Sequence, residues 1–124
     1  MTNGTTNKVT KQKDLLVVCM AEHQSGTELE KLKKLILKHS VAKSGALDIL
    51  VDVSDVKTSD ERANSVAKTF FKHLPFRRMA VFGGSRVVNV GIRLILNLFI
   101  SPGVGEVKIF KSEEKARRWL AEIK

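Results

Sequence analysis

The chain has 124 residues, of which 43% are hydrophobic and 28% are charged, and its formal net charge is +9 at pH 7. This length and composition predict one folded soluble domain and exclude an intrinsically disordered chain, which would be less apolar. The single cysteine, Cys19, rules out an internal disulfide, and its place within an apolar run predicts a buried side chain.

The first residues differ in character from the rest of the chain. Residues 1–13 are polar and are predicted to form a flexible tail, followed by a single domain over residues 14–124. The tail lacks the apolar core of a signal peptide, and the first apolar run is far shorter than the ~20 residues of a membrane span. We therefore expect a cytoplasmic protein.

The positive charge raises the question of nucleic-acid binding, which requires clustered cations. Lysines and arginines are instead spread over the tail, the first predicted helix and the last one, with acidic residues between them. No basic run alternates with aromatic residues, and the sequence contains no tyrosine. A solvated basic surface is the favoured interpretation, and nucleic acid is not an expected partner.

Beyond the tail, apolar runs alternate with amphipathic segments, which predicts βα units on a mostly parallel sheet. The first strand is predicted over residues 15–21. The helix after it begins near residues 25–27, where Thr27 and Glu30 have capping-box spacing. The second strand is predicted over residues 46–53, which are rich in β-branched and aliphatic side chains.

The second helix has the clearest period of the sequence. Its apolar residues recur at helical spacing from Ala63 to Leu74. Thr58 and Glu61 form another capping-box pattern before it, and Pro75 is expected to end it.

The third predicted helix is unusual because it is apolar nearly all round. It follows a strand over residues 79–82 and a glycine-containing turn, and it spans residues 87–100. Such a helix must be buried on more than one side, by the domain, by a partner chain or by lipid. A fourth strand over residues 106–110 and a final helix that begins at Ser112 complete the pattern.

The order of these elements resembles the STAS superfamily. Three segments point to its SpoIIAA-like branch: Gly26-Thr27-Glu28-Leu29, Met79-Ala80-Val81-Phe82-Gly83 before Ser85-Arg86, and residues 106–114 with Ala116, Trp119 and Leu120. The resemblance implies an α/β fold with a four- or five-stranded mixed, mostly parallel sheet and about four helices packed largely on one face. It also implies activity through binding of a protein or small ligand, without catalysis.

In phosphorylated STAS proteins, a serine at the start of the helix after the Asp-x-Ser strand is the regulatory switch. The equivalent segment here, residues 57–61, has hydroxyl groups but lacks the motif's glycine and preceding aspartate. The match to the phosphorylation site at Thr58 and Ser59 is therefore incomplete.

Two clusters of polar residues follow neighbouring strands and form the candidate binding site: Asp52, Ser54, Thr58 and Ser59 in the first, and Gly83, Gly84, Ser85 and Arg86 in the second. Glycines before a helix N-terminus could let an anion approach backbone N–H groups, with Arg86 adding a cation. Since ligands bind at the carboxyl ends of parallel strands, the two clusters could line one shallow pocket. The alternatives are two capped helices joined by a polar loop, and an ordinary turn in which Ser85 is the N-cap.

These observations favour a non-enzymatic regulatory or ligand-binding module, expected to be a homodimer, that binds a protein partner or a small anionic ligand. One alternative is a peripheral membrane or lipid-binding protein that uses helix 87–100. Another is a small enzyme acting on a phosphorylated or carboxylated metabolite. No cofactor or metal is expected, because the three histidines have no second ligand at metal spacing and no catalytic serine motif is present.

Overall fold

Seven strands and four helices alternate along the residues that the computed structural model describes, which are 6–40, 47–73, 76–99 and 106–122. The strands are β1 (Lys8–Gln12), β2 (Leu15–Cys19), β3 (His23–Gln24), β4 (Leu47–Asp52), β5 (Thr58–Ser59), β6 (Phe76–Phe82) and β7 (Glu106–Phe110). The helices are α1 (Gly26–Ser40), α2 (Glu61–His73), α3 (Arg86–Phe99) and α4 (Glu113–Leu120).

Five strands form the main sheet in the order β1-β2-β4-β6-β7. β1 is antiparallel to β2, and the other neighbours are parallel. The short strands β3 and β5 pair separately, parallel to each other, beyond the carboxyl ends of β2 and β4. This confirms the predicted α/β class with a mixed, mostly parallel sheet.

The two faces of the sheet carry different helices, because successive side chains of a strand point to opposite sides. On one face, Leu16, Ile49 and Met79 belong to the larger core, together with residues of α1 and α2, and α3 packs at its margin. On the other face, Leu50 and Ala80 belong to a second cluster with Ala116, Trp119 and Leu120 of α4. Three of the four helices therefore share one face, as the resemblance implied.

The predicted flexible tail over residues 1–13 is wrong for its last part. Lys8–Gln12 pairs with Leu15–Cys19 along its whole length, and Asn7 is only 4% exposed. Val9 is the single β1 side chain that packs against the core, because β1 is an edge strand with one covered face. One apolar residue gives no readable period, which is why the sequence pattern missed this strand.

Helix caps differ from two of the predictions. The N-cap of α1 is Ser25, whose Oγ accepts from the Glu28 N–H at 3.1 Å, so that Thr27 lies within the helix. The N-cap of α2 is Asp60, whose Oδ1 accepts from the Ala63 N–H at 2.7 Å, and Thr58 lies in β5.

Of the remaining predicted boundaries, one is confirmed, one is wrong and the others lie outside the described residues. The cap of α4 at Ser112 is confirmed, whereas β6 begins at Phe76, three residues before the predicted start. The predicted helix stop at Pro75, the start of the second strand at Ala46 and the end of the third helix at residues 100–103 lie outside the described residues.

A β-bulge in β6 places two consecutive arginines on the α4 side of the sheet. Phe76 pairs with Leu47 and Arg78 with Asp48, which leaves Arg77 as the extra residue. Arg77 donates to the Asp48 carboxylate at 2.7 and 2.8 Å and to the Leu120 carbonyl oxygen at 2.8 Å.

Arg78 binds the same end of α4. It donates to the Trp119 carbonyl oxygen at 2.7 Å, and its guanidinium lies 4.7 Å from the centre of the indole ring. The two arginines thus bind the C-terminal carbonyl groups of α4, which a helix leaves without partners of its own.

Candidate functional site

The candidate site lies where β4 and β6 end side by side. Asp52 and Phe82 are paired at the last position of the ladder, and the Val53 N–H donates to the Phe82 carbonyl oxygen at 3.0 Å. The β4–α2 and β6–α3 loops therefore leave the sheet next to each other. The fold brings Ser54 of one loop against Gly83 of the other.

Gly83 is required at this contact for two reasons. Its φ is +90°, a backbone conformation that side chains disfavour. A Cβ atom at Gly83 would also lie 2.2 Å from the Ser54 Oγ. The close approach of the two loops therefore depends on the missing side chain.

The Ser54 hydroxyl is held by the strand that precedes it. Oδ1 of Asp52 accepts from the Ser54 hydroxyl and, at 2.8 Å, from the Ser54 N–H. The aspartate thus satisfies both donors of the serine and fixes the turn. This pair holds the first loop in one shape at the edge of the sheet.

The second loop is shaped by helix capping. Oγ of Ser85 accepts from the Val88 N–H at 3.2 Å, so that Ser85 is the N-cap of α3. Asn89 donates from Nδ2 to the Gly84 carbonyl oxygen at 3.3 Å, and a Cβ at Gly84 would lie 2.5 Å from the Asn89 Oδ1. The capped-turn alternative thus describes the observed geometry, and anion binding there stays a prediction.

Thr58 and Ser59 lie apart from the other predicted residues. Backbone N–H groups of Lys57 and Thr58 donate to the Glu22 carbonyl oxygen at 2.8 and 3.2 Å, and the Thr58 Oγ1 lies 2.6 Å from the His23 Nδ1. These bonds hold β5 against β3. β5 is thus fixed by β3, and a single pocket lined by both clusters stays a prediction.

A cavity of about 490 Å³ opens on the other side of β5, between α2, α3 and the sheet. Of the eight predicted site residues, it is lined only by Thr58 and Ser59. Its apolar lining residues are Met20, Leu29, Val51, Val53, Val56, Ala63, Ala67, Met79, Val81, Val87, Val88 and Ile92, with Gly91 beside them. Its polar lining residues are Gln24, Lys57, Thr58, Ser59, Asn64 and Lys68.

The outer side of α3 exposes apolar and basic residues together. Val87 is 82% exposed and Val90 is 53% exposed. Arg86 and Arg93 are also exposed, and the sequence of α3 contains no acidic residue. The described part of α3 thus carries a positively charged surface with two uncovered valines.

Cys19 lies near this end of the sheet but is not an activated thiol. Burial raises the pKa of the Cys19 thiol, and the neighbouring Asp52 carboxylate raises it further. A raised pKa keeps the sulfur protonated at neutral pH, and the protonated thiol is a weak nucleophile. The side chain is only half-buried, so that the predicted burial of Cys19 is wrong in degree.

Comparisons with known proteins assign the fold to a family. A family model described as SpoIIAA-like matches residues 15–121. The chain belongs to the SpoIIAA-like family. No curated protein matches the sequence.

Solved structures support the same SpoIIAA-like fold. An uncharacterized protein of the DUF3478 family from Shewanella loihica PV-4 is 20% identical, with a TM-score of 0.70 and coverage of 95% of this chain and 94% of that one. RsbS of Moorella thermoacetica is 17% identical, with a TM-score of 0.61 and coverage of 92% and 93%. The anti-sigma factor antagonist SpoIIAA, in its unphosphorylated form, is 10% identical, with a TM-score of 0.60 and coverage of 94% and 99%.

Sequence reasoning missed the cavity of this SpoIIAA-like chain. The one sequence feature that pointed toward it was α3, which is apolar on nearly all sides. Such a helix has more apolar surface than contact with the sheet alone can cover. Val56 and Gly91 gave no signal, because one lies in a polar loop and the other has no side chain.

The described residues offer neither a metal site nor a membrane-spanning helix. In that part of the SpoIIAA-like chain, no three His, Cys, Asp or Glu side chains lie together in a way that could hold a metal ion. None of the helices described there is long and apolar enough to cross a membrane.

Proposed function

We propose that this SpoIIAA-like chain is a non-enzymatic regulatory module of the cytoplasm that binds a protein partner with the exposed face of α3. The observation that carries the proposal is the exposure of Val87 and Val90 beside Arg86 and Arg93. The expected partner presents apolar side chains flanked by carboxylates, because such a surface would cover the valines and neutralise the arginines.

The surface has the composition of a binding site. Large apolar side chains exposed together on one helix turn are typical of protein contact surfaces, whereas single scattered ones are not. Val87 and Val90 are three residues apart and therefore lie on the same side of α3. Arginine is enriched at protein interfaces, and it can pair with a partner carboxylate through two parallel hydrogen bonds.

The loops beneath α3 support binding because they are fixed in advance. Ser54 is held by Asp52 and packs on Gly83, and Ser85 caps the helix that carries the valines. A preorganised surface loses less conformational entropy on association than a mobile one. The predicted site residues then act by positioning α3, while Arg86 is the member of that set that contacts the partner.

The family supports a regulatory role. Proteins of this fold are typically anti-sigma factor antagonists or regulatory modules. Two of the similar structures are named for such roles: SpoIIAA as an anti-sigma factor antagonist, and the stressosome as a hub of signal integration and transduction. Neither name concerns an enzyme, which agrees with a module that acts by binding.

Membrane docking is the competing use of the same surface. A helix that lies in a membrane interface buries a wide apolar face, with Trp, Phe or Leu among its anchors. Among the described side chains of α3, the exposed apolar ones are Val87 and Val90. The regulatory relatives of the family favour a protein as the occupant, and binding to vesicles is the outcome that would assign the surface to a membrane.

The test begins with a photo-crosslinking amino acid at position 90 of the full chain in its own cells. We expect one discrete protein adduct that is absent when the crosslinker stands at position 37 on α1, where Leu37 is also exposed. The purified partner is then titrated with the natural chain, Val90→Asp and the matched control Leu37→Asp. Val90→Asp is expected to weaken binding about tenfold or more, and Leu37→Asp to leave it unchanged.

Two results would overturn the proposal. The first is equal affinity of the partner for Val90→Asp and the natural chain. The second is sedimentation with anionic vesicles at low salt that Val90→Asp abolishes, because it would assign the surface to a membrane.

A further inference from the structure

We propose that the outer edge of β1 binds an acidic, extended segment of another protein, which adds to the sheet as one more strand. The carboxylates of that segment pair with Lys8 on one face of the sheet and with Lys11 on the other. β2 and β4 separate this edge from β6, which leads into α3. The contact is therefore distinct from the one proposed for the exposed face of α3.

The backbone of β1 offers hydrogen-bonding groups along its outer side. In the part of the chain that the structure describes, the only strand paired with β1 is β2. In an antiparallel pair, every second residue directs both its N–H and its C=O away from the neighbouring strand. Over Lys8–Gln12, alternate backbone groups thus point out of the sheet, where an added strand would bond to them.

β1 lacks two of the features that commonly keep an edge strand from pairing. Proteins protect such edges with a proline, a bulge or charged side chains. The sequence of β1 has no proline, and its register with β2 is unbroken from Lys8 to Gln12. The protection of this edge therefore rests on its lysines. They repel the same edge of a second copy, but they attract a strand that carries carboxylates.

The two lysines of β1 point to opposite faces of the sheet. Val9 packs against the larger core, so that Lys11, two residues further on, points to the face that carries α1. Lys8 points to the face that carries α4, and both lysines are exposed. A partner strand with carboxylates three residues apart would therefore place one opposite each lysine.

α1 extends the positive charge on its side of the edge. The helix packs against β1, and Lys31 and Lys38 lie exposed on the side of α1 that carries Glu28. Glu28 opposes an incoming carboxylate little, because its side chain is 14% exposed and already has partners. It accepts from the Thr6 hydroxyl at 3.1 Å and from the Asn7 N–H at 2.9 Å, and it lies 3.6 Å from the Lys31 Nζ.

Nucleic acid is the other polyanion that these lysines could attract. Proteins that bind single strands without sequence preference stack the bases on aromatic side chains. The sequences of β1 and α1 contain no Phe, Tyr or Trp. An acidic peptide bonds to the open backbone as well as to the lysines, and it therefore uses both features of this edge.

The experiment uses the full chain and short peptides with blocked ends. The acidic peptide Thr-Glu-Val-Thr-Glu-Thr has its carboxylates three residues apart, as Lys8 and Lys11 are. NMR titration is expected to show saturable binding with the largest amide shifts in Lys8–Gln12. The same peptide with Gln in place of both Glu residues should bind about fivefold more weakly. An acidic peptide methylated on its backbone nitrogens keeps the charge but cannot donate, and it should bind about tenfold more weakly or worse.

Lysine variants locate the contact on the chain. Lys8→Glu combined with Lys11→Glu is expected to weaken binding of the acidic peptide about tenfold or more. The matched control is Lys111→Glu with Lys115→Glu, which makes the same change of net charge at exposed positions after β7 and should bind nearly as the natural chain does. Val90→Asp should leave peptide binding unchanged, which separates this contact from that of α3. Circular dichroism establishes that the variants are folded.

Four results would overturn the proposal. Absence of saturable binding would exclude the contact, and equal binding of the methylated peptide would show that no strand is added. Equal losses in the two lysine double variants would place the attraction in the net charge of the chain. Tighter binding of a short oligothymidylate than of the acidic peptide, abolished by Lys8→Glu with Lys11→Glu, would assign the edge to nucleic acid.

Discussion

Two glycines of the chain serve opposite purposes. Gly83 has a φ of +90° and lies so close to Ser54 that a Cβ atom would be 2.2 Å from its Oγ. Gly91 lies in α3, where a Cβ atom would have no neighbour within 4 Å. The first glycine joins two loops, and the second leaves room beside a helix.

Alanine substitution separates these two roles. Gly83→Ala is expected to lower the free energy of unfolding by about 1 to 3 kcal/mol, because the backbone is strained and the new methyl group meets Ser54. Gly91→Ala is expected to raise it by about 0.5 to 1 kcal/mol, because alanine is the better helix former. Equilibrium urea denaturation of the two variants measures both changes. A similar loss in the free energy of unfolding of both variants would contradict the two roles.

At the scale of elements, β1 depends on the residue that precedes it. Oδ1 of Asn7 accepts from the Ala21 N–H at 2.7 Å and from the Gln24 Nε2 at 2.9 Å. The Glu28 Oε1 accepts from the Asn7 N–H at 2.9 Å. Through its side chain and its backbone N–H, Asn7 therefore joins the start of β1 to the β2–α1 connection and to α1.

Removing that side chain should release β1 before the rest of the sheet. Asn7→Ala leaves the Ala21 N–H and the Gln24 amide without their partner in a buried place, at a cost of about 2 to 4 kcal/mol. Hydrogen exchange followed by NMR should show faster exchange of the β1 amides than of those in β4 and β6. Lys11→Ala, at an exposed position of the same strand, is the control and should exchange as the natural chain does. A uniform increase in the amide exchange rate over all strands would contradict a local attachment of β1 by Asn7.

The sequence pattern predicted elements whose side chains repeat and missed those held by single contacts. The regular spacing of apolar residues from Ala63 onward identified α2, because a half-buried helix repeats its contacts at every turn. β1 has one core residue, Val9, and the first half of β6 contains the charged pair Arg77 and Arg78. Those arginines resemble a loop in sequence because their partners, Asp48 and the end of α4, are distant along the chain.

At the scale of the whole molecule, the candidate site was predicted in part. The carboxyl ends of neighbouring parallel strands had to meet, and Ser54 does contact Gly83 as that rule implies. The cavity did not follow from the same rule, because it depends on how α3 lies over the sheet. It also depends on the pairing of β5 with β3, and a strand of two residues is too short to be predicted from the sequence.

The expected homodimer is a separate prediction at this scale. A symmetric pair through α3 would cover the valines that the proposed partner contacts, so that dimer and partner would compete for this surface, and the arginines beside the valines repel their own copies. Sedimentation equilibrium should therefore show a dimer that is weaker at low salt than at high salt. Val90→Asp at moderate salt shifts this equilibrium if α3 forms the contact, and a monomer at every salt and protein concentration would refute the dimer.

The bulge in β6 adds an arginine to the α4 side of the sheet. Phe76 and Arg78 already point to opposite faces, and the extra residue, Arg77, reaches α4 beside Arg78. Deleting Arg77 would restore an unbroken alternation that keeps Phe76, which is 2% exposed, in the larger core. The insertion thus provides a second anchor for the end of α4 while every core side chain of the strand stays on its own face.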